Sequence, residues 1–395
     1  MIIRHLGEVI QASARQYPIV AVTGPRQSGK TTLCRALFPG YSYVNLEKPD
    51  DRQFALSDPN GFLGQFKGPV IFDEVQRTPE LFSYIMPLVD ERRRPGEFIL
   101  TGSQNFHLME AISQSLAGRC ATMKLLPFST LELAGKPNID IFHLPTAENG
   151  HPPDNMTVFE HIFKGGFPPL HDRSLKPTGW LAQYTMSYLE RDVRSLVNVG
   201  DLDAFQTFLR LCAGRSGQII SMTSIANDAG VSPVTIKRWL SILVASHTIF
   251  LLRPHQRNFN KRLVKSPKLY FYDTGLLCYL LGIRSPEELL LHSARGAIFE
   301  TYVISELAKA CLHAGFEPPL SFWRDSQGHE VDLIVENGEK LFPIEIKSGQ
   351  TISGSMMDGL YYWKSLSQTA EAMLVYGGDA SYTRQGVDVR PWFFV

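Results

Sequence analysis

The chain has 395 residues, is 44% hydrophobic and 20% charged, and balances 39 lysines and arginines against 39 aspartates and glutamates. That length predicts two or three domains, and zero net charge excludes a general attraction to polyanions, so any nucleic-acid contact must come from a local basic face. Five scattered cysteines with no C-x-x-C pair exclude a zinc-finger or disulfide framework, and no run approaches about 18 uninterrupted apolar residues, so a cytoplasmic protein without a membrane span is expected.

Ile2 to Arg15 reads as a short helix leading into an apolar strand, Ile19 to Val22. After Thr23 come Gly24, Pro25, Arg26, Gln27, Ser28, Gly29, Lys30, Thr31 and Thr32, and a helical stretch, Leu33 to Phe38, follows. This is the phosphate-binding loop G-x-x-x-x-G-K-[ST] in its required setting of strand, loop and helix. The glycines let successive N–H groups turn towards phosphate oxygens, and the helix N-terminus adds partial positive charge. Lys30 is placed to reach the β- and γ-phosphates of ATP, and the Thr31 hydroxyl to ligate Mg²⁺.

Tyr41 to Leu46 alternates as a strand does. Val70 to Phe72 is a second strand and ends in Asp73-Glu74. An apolar strand ending in two acids is the Walker B pattern: Asp73 holds the metal and Glu74 polarises the attacking water. The competing reading is a solvated turn. Phe98 to Leu100 is a third strand with a polar end, Thr101-Gly102-Ser103-Gln104-Asn105. Leu116 to Arg119 precedes a further strand, Ala121 to Leu126.

GPRQSGKTT, VIFDEVQ, FILTGSQ and LAGR followed by LLPFSTLEL together resemble prokaryotic AAA-type ATPases in which a winged-helix region and a nuclease-like C-terminal domain follow the core. The resemblance covers nearly the whole chain. It implies a polar sensor at Ser103 or Asn105. It also leaves Arg119 as either an arginine finger acting across a subunit boundary of a homo-oligomer, ring or filament, or a surface salt-bridge arginine.

Gly135 to Met156 reads as a linker and Gly165 to Pro169 (GGFPP) as a turn, packed near the nucleotide or purely structural. Trp180 to Val197 reads as a helix with a buried face, and Arg191 within it is a second nucleotide-sensing candidate, the alternative being a structural ion pair. Thr223 to Leu243 carries a helix-turn-helix pattern, with Gly230 at the turn and Ser232-Pro233 opening the second helix. Ile249 to Leu252 and Lys268 to Tyr272 read as strands of a wing. Lys237, Arg238, Arg257, Lys261, Arg262 and Lys265 are candidate DNA contacts, because no acid interrupts Arg253 to Tyr272. Packing of this module against protein is the rival reading. Asp273-Thr274-Gly275 reads as a helix cap.

Towards the C-terminus an amphipathic helix, Arg295 to Ala310, carries Glu300. Strands follow at Leu320 to Arg324, His329 to Val335 with Asp332, Leu341 to Ile346 ending in Glu345-Ile346-Lys347, and Ala372 to Tyr376. The order and the Asp332…Glu345-x-Lys347 string resemble the PD-(D/E)XK nuclease core. Asp332 and Glu345, with Glu300 as an accessory, are the expected metal ligands, and Lys347 falls on the same strand face as Glu345.

The expected fold is α/β: a P-loop parallel-sheet ATPase core (1–135), a helical and winged-helix middle (136–284) and a restriction-endonuclease-like α/β domain (285–395). The expected function is a Mg²⁺-dependent ATPase acting on DNA. The alternative is a nucleotide switch in a signalling or defence assembly with a non-cleaving C-terminal module.

Overall fold

A computed structural model of the chain describes residues 2–102, 118–146, 156–173, 175–189, 202–255, 264–367 and 369–395. It divides into two compact units: residues 1–127 with 245–247 and 312–316, and residues 128–244 with 248–311 and 317–395.

The first unit is built on five strands: β1 (Ile19–Thr23), β2 (Ser42–Asn45), β3 (Val70–Asp73), β4 (Phe98–Thr101) and β5 (Cys120–Lys124). Their order is β2-β3-β4-β1-β5, and every pairing is parallel. Parallel strands in the middle of a sheet are covered on both faces, and the three central ones, β1, β3 and β4, are buried along their whole length, while the edge strands β2 and β5 are not. Along β1 the pleat sends Val20 and Val22 to one core with Leu6, Ile10, Leu33 and Ile99, while Ile19 and Ala21 go to another with Phe62, Phe72, Phe82 and Phe98. The order sets β4 between β1 and β3. It therefore collects the carboxyl ends of these three strands at one edge, where open parallel sheets bind ligands.

The second unit begins with short helices. Val158–Lys164 opens with a capping box, Thr157 accepting from the Glu160 amide and Glu160 reaching back to Thr157. The GGFPP segment ends this helix and is locked to the cap at Asp273. Asp273 accepts from the Leu276 N–H at 2.8 Å, capping Thr274–Leu280, and from the Gly166 N–H at 2.8 Å. Asp273 is thus a partner of this turn. Of the helix expected over Trp180 to Val197, the described part runs over Pro177–Tyr184 and widens over Thr185–Leu189, where the Thr185 hydroxyl bonds the Leu181 carbonyl at 2.9 Å, and residues 190–197 lie outside the described residues.

The helices Met222–Ala229 and Pro233–Ala245 follow. Gly230, at φ 68°, supplies the left-handed turn between them, and Ser232 accepts from the Thr235 N–H at 3.1 Å to start the second. β6 (Ile249–Pro254) and β7 (Lys268–Phe271) then pair antiparallel. This hairpin does not stand apart as a wing. Arg253 and Pro254 of β6 pair in parallel with Ser321 and Phe322 of β8 (Leu320–Arg324). With β9 (Glu330–Asn337), β10 (Lys340–Lys347), β11 (Met373–Tyr376), β12 (Tyr382–Arg384) and β13 (Val387–Pro391), the result is one eight-stranded sheet ordered β12-β13-β11-β10-β9-β8-β6-β7. The boundary expected at 284/285 is crossed by this sheet, because the strand edge left open at β8 is satisfied by β6. The short strands β12 and β13 lie beyond those the pattern marked.

No helix among the described residues is long and apolar enough to cross a membrane. All five cysteines are free thiols.

A Cβ added at Gly166 would lie 2.2 Å from the Phe128 carbonyl oxygen, an atom of the backbone that cannot rotate away. Gly166→Ala is expected to destabilise the fold by about 1–3 kcal/mol, read as a shift in the urea midpoint of the second unit's transition. An unchanged midpoint would show that this close approach is not needed.

Candidate functional site

At the carboxyl edge of the first sheet the chain leaves β1 at Thr23 and enters the loop. Gly24 has φ 143°, and a Cβ there would sit 2.1 Å from the Leu125 carbonyl oxygen, so only glycine fits. Gly29 at φ 93° turns the chain into the helix Lys30–Leu37. The Lys30 ammonium is folded back on the loop and donates to the carbonyls of Gly24 at 3.1 Å and Pro25 at 2.8 Å. Burial pushes its pKa down to about 8, against the upward pull of Glu74 and Asp73. The Ser28 hydroxyl is buried with no hydrogen-bond partner. A buried orphan at the floor of a turn of N–H groups fits a phosphate ligand.

Asp73, at the end of β3, is the hub. The Thr31 hydroxyl donates to both of its oxygens at 3.0 Å, the Tyr43 hydroxyl donates to Oδ2 at 2.9 Å, and the Thr101 hydroxyl closes on Oδ1. Burial, then the charge of Asp73, pushes the Tyr43 phenol far up. Glu74 adopts a left-handed backbone, φ 57°, and its carboxylate accepts from the Gln76 amide. A non-glycine residue in that region is uncommon and marks a side chain aimed by strain.

Arg119 lies elsewhere. Its guanidinium pairs in a two-pronged bond with Asp90, at 2.6 and 3.1 Å. It precedes β5, at the amino edge of the sheet, on the order of 13 Å of strand away from the loop's edge. A role for Arg119 on its own subunit's loop is therefore excluded by position. Ser103, Asn105 and Arg191 lie outside the described residues.

Sequence reasoning missed Arg4. Its guanidinium, nine-tenths buried, donates to the Ser28 carbonyl at 2.9 Å and the Leu126 carbonyl at 2.6 Å, tying the loop to the chain beyond β5. It also missed Tyr43 and Thr101, whose only signal is a hydroxyl at or near the end of a strand beside β3. His247 belongs to this unit as well, and burial, with Lys124 and Lys30 adding, pushes it down to about 3.

The second unit holds the expected C-terminal centre. Glu300 is on the helix Arg295–His313, Asp332 on β9, and Glu345 and Lys347 on β10. The Lys347 ammonium bonds Glu345 Oε1 at 2.5 Å and lies 3.7 Å from Asp332 Oδ2, which also accepts the Ile346 N–H at 2.9 Å. Burial, then Asp332, raises Glu345 to about 8, and the same two causes raise Glu300 to about 7. Glu345 Oε2 is buried without a partner, as an oxygen waiting for a cation would be. Glu300 is already taken: its Oε1 accepts from Lys268 at 3.0 Å and Tyr270 at 2.6 Å. Lys268, read in the sequence as part of a basic surface run, is only 3% exposed.

Of the candidate DNA contacts, Lys237 and Arg238 are exposed on Pro233–Ala245 and Lys265 is exposed before β7. Arg257, Lys261 and Arg262 lie outside the described residues.

Two relatives, uncharacterised proteins of Mycobacterium tuberculosis and Mycobacterium bovis, are each 32% identical over 377 residues, covering 94% of this chain and 79% of the relative. The chain belongs to their family. A family described as "AAA domain" matches residues 16–134, and two domains of unknown function match 156–287 (DUF8612) and 295–393 (DUF4143). Residues 16–134 are thus a P-loop AAA-type ATPase core. Among solved structures, a Walker-type ATPase of Pyrococcus abyssi is similar at 15% identity and TM-score 0.42, covering 70% of this chain and 94% of its own. The RuvB Holliday junction branch migration motor of Thermotoga maritima is similar at 15% and 0.30, covering 63% and 87%.

Removing the Arg4 guanidinium leaves two buried carbonyls without charged donors. Arg4→Ala is expected to destabilise the protein by about 2–3 kcal/mol in chemical denaturation, and Arg4→Lys, with one ammonium for two directions, recovers only part of it.

Proposed function

We propose that the protein is a Mg²⁺-dependent ATPase that binds DNA and whose nucleotide state acts on the unit carrying the C-terminal centre. The observation that carries the ATPase reading is the convergence of Lys30, Thr31 and Asp73 at the carboxyl edge of the parallel sheet, with Glu74 next in the chain. The loop amides and Lys30 bind the phosphates of ATP. Thr31 and Asp73 are the residues that would hold Mg²⁺, which neutralises phosphate charge when bound. Glu74, aimed by its left-handed backbone, takes the proton of the attacking water. Arg119 and Arg191 remain candidates for a neighbouring subunit's site in a homo-oligomer.

DNA binding is supported by the exposed Lys237, Arg238 and Lys265, on a helix-turn-helix arrangement and beside its hairpin, in a chain with no net charge to attract DNA elsewhere. For the C-terminal centre, Asp332, Glu345 and Lys347 support a nuclease-like, PD-(D/E)XK reading. The pairing of Glu300 with Lys268 favours the second reading, a binding module that does not cut.

Lys30→Ala is expected to abolish ATP hydrolysis, and Glu74→Gln to keep ATP binding while turnover falls by about 10²-fold or more. Normal turnover in Glu74→Gln would remove it from this role. Binding should also move protons. Lys30, with its pKa lowered to about 8, is partly neutral at pH 8.5, and phosphates restore its charge, so ATP binding there takes up protons. Calorimetry in two buffers of different ionisation enthalpy measures the uptake, and none at pH 8.5 would mean that Lys30 is charged beforehand. DNA affinity should fall steeply with salt and weaken in a Lys237→Ala, Arg238→Ala double variant. No binding at low salt would sink the DNA reading.

A further inference from the structure

The C-terminal centre contains a cation that no metal-site pattern includes. We infer that Lys268 is the resident cation at Glu300, and that a divalent ion at this centre is held through Asp332 and Glu345 with Glu300 left out. The inference rests on the reading of the centre as a metal site and specifies it.

Lys268 is fixed at both ends. Its ammonium lies 3.0 Å from Glu300 Oε1 and 2.5 Å from Glu330 Oε1, and Arg324 holds the other Glu330 oxygen at 3.1 Å. Its backbone pairs with Leu252 in the hairpin and bridges to Ile219 on the other side. The segment next to that bridge closes over Glu300: a Cβ added at Gly217 would lie 3.6 Å from Glu300 Oε2, and the Gly217 N–H is tied to the Leu269 carbonyl at 2.8 Å. A dication at Glu300 would sit a few ångströms from an immobile ammonium already bonded to Oε1, which is repulsive in a largely buried site. Among the described residues, Glu300, Asp332 and Glu345 do not bring three ligand atoms within 4.8 Å of one another.

The Asp332 and Glu345 side is different. Glu345 is more than nine-tenths buried, and its Oε2 has no partner. The cation opposite, Lys347, is about one-third exposed and can swing aside. Mg²⁺ and Mn²⁺ commonly bind through one or two carboxylates and keep several waters, so two ligands suffice.

The test is Mn²⁺ titration of the full chain without nucleotide, followed by electron paramagnetic resonance of the free ion. Wild type is expected to bind an ion that Glu345→Gln weakens about tenfold or more, while Glu300→Gln stays within about twofold. Lys268→Met, checked for folding by circular dichroism, is expected to tighten Mn²⁺ about tenfold or more, because a buried positive charge beside the acidic centre is removed. Tenfold weaker binding in Glu300→Gln, or unchanged affinity in a folded Lys268→Met, overturns the assignment of Lys268. Absence of any Glu345-dependent binding overturns the metal-site reading itself. ATP hydrolysis is not read in this experiment, so neither result bears on the first unit.

Discussion

Asp73 is a carboxylate buried at the edge of a sheet, and it stays there because three hydroxyls face it. A buried carboxylate without donors is costly, and these donors come from three different elements: Thr31 from the helix after the loop, Tyr43 from β2 and Thr101 from β4. The carboxylate is satisfied only when those strands are in order around β3. The strand order of the first unit and its ligand edge therefore depend on the same contacts. Lys30 sits in the same field but is turned to the loop's own carbonyls, and burial holds it short of full charge at alkaline pH. Phosphate oxygens are stronger acceptors than those carbonyls.

The second unit solves a similar problem with ion pairs. Lys268 has too little exposure to be solvated and is held instead by Glu300, Glu330 and the field of Asp332, which outweigh the cost of its burial and raise its pKa. Such a network is fragile to the loss of one member. It joins the hairpin after the helix-turn-helix to Glu300 and Glu330, beside the β6–β8 pairing of the sheet. Two family matches divide this stretch near residue 290, yet β6 and β8 are hydrogen-bonded across the division. The two segments share one sheet and one polar centre.

What the sequence by itself determined is the local chemistry. Gly24 to Thr32, Asp73-Glu74 and Glu345-x-Lys347 are legible because each is a run of near neighbours whose geometry follows from a turn or from the two-residue period of a strand. The five strands of the first sheet are legible for the same reason: alternation and apolar runs are properties of short windows. What only the tertiary structure decided is pairing between distant residues. Arg4 on the loop's carbonyl, Arg119 on Asp90 and Lys268 on Glu300 are choices among partners 24, 29 and 32 residues apart. An arginine or lysine carries the same charge in every one of those roles. Burial and strand order select the partner, and neither is a property of the residues next to it in the chain.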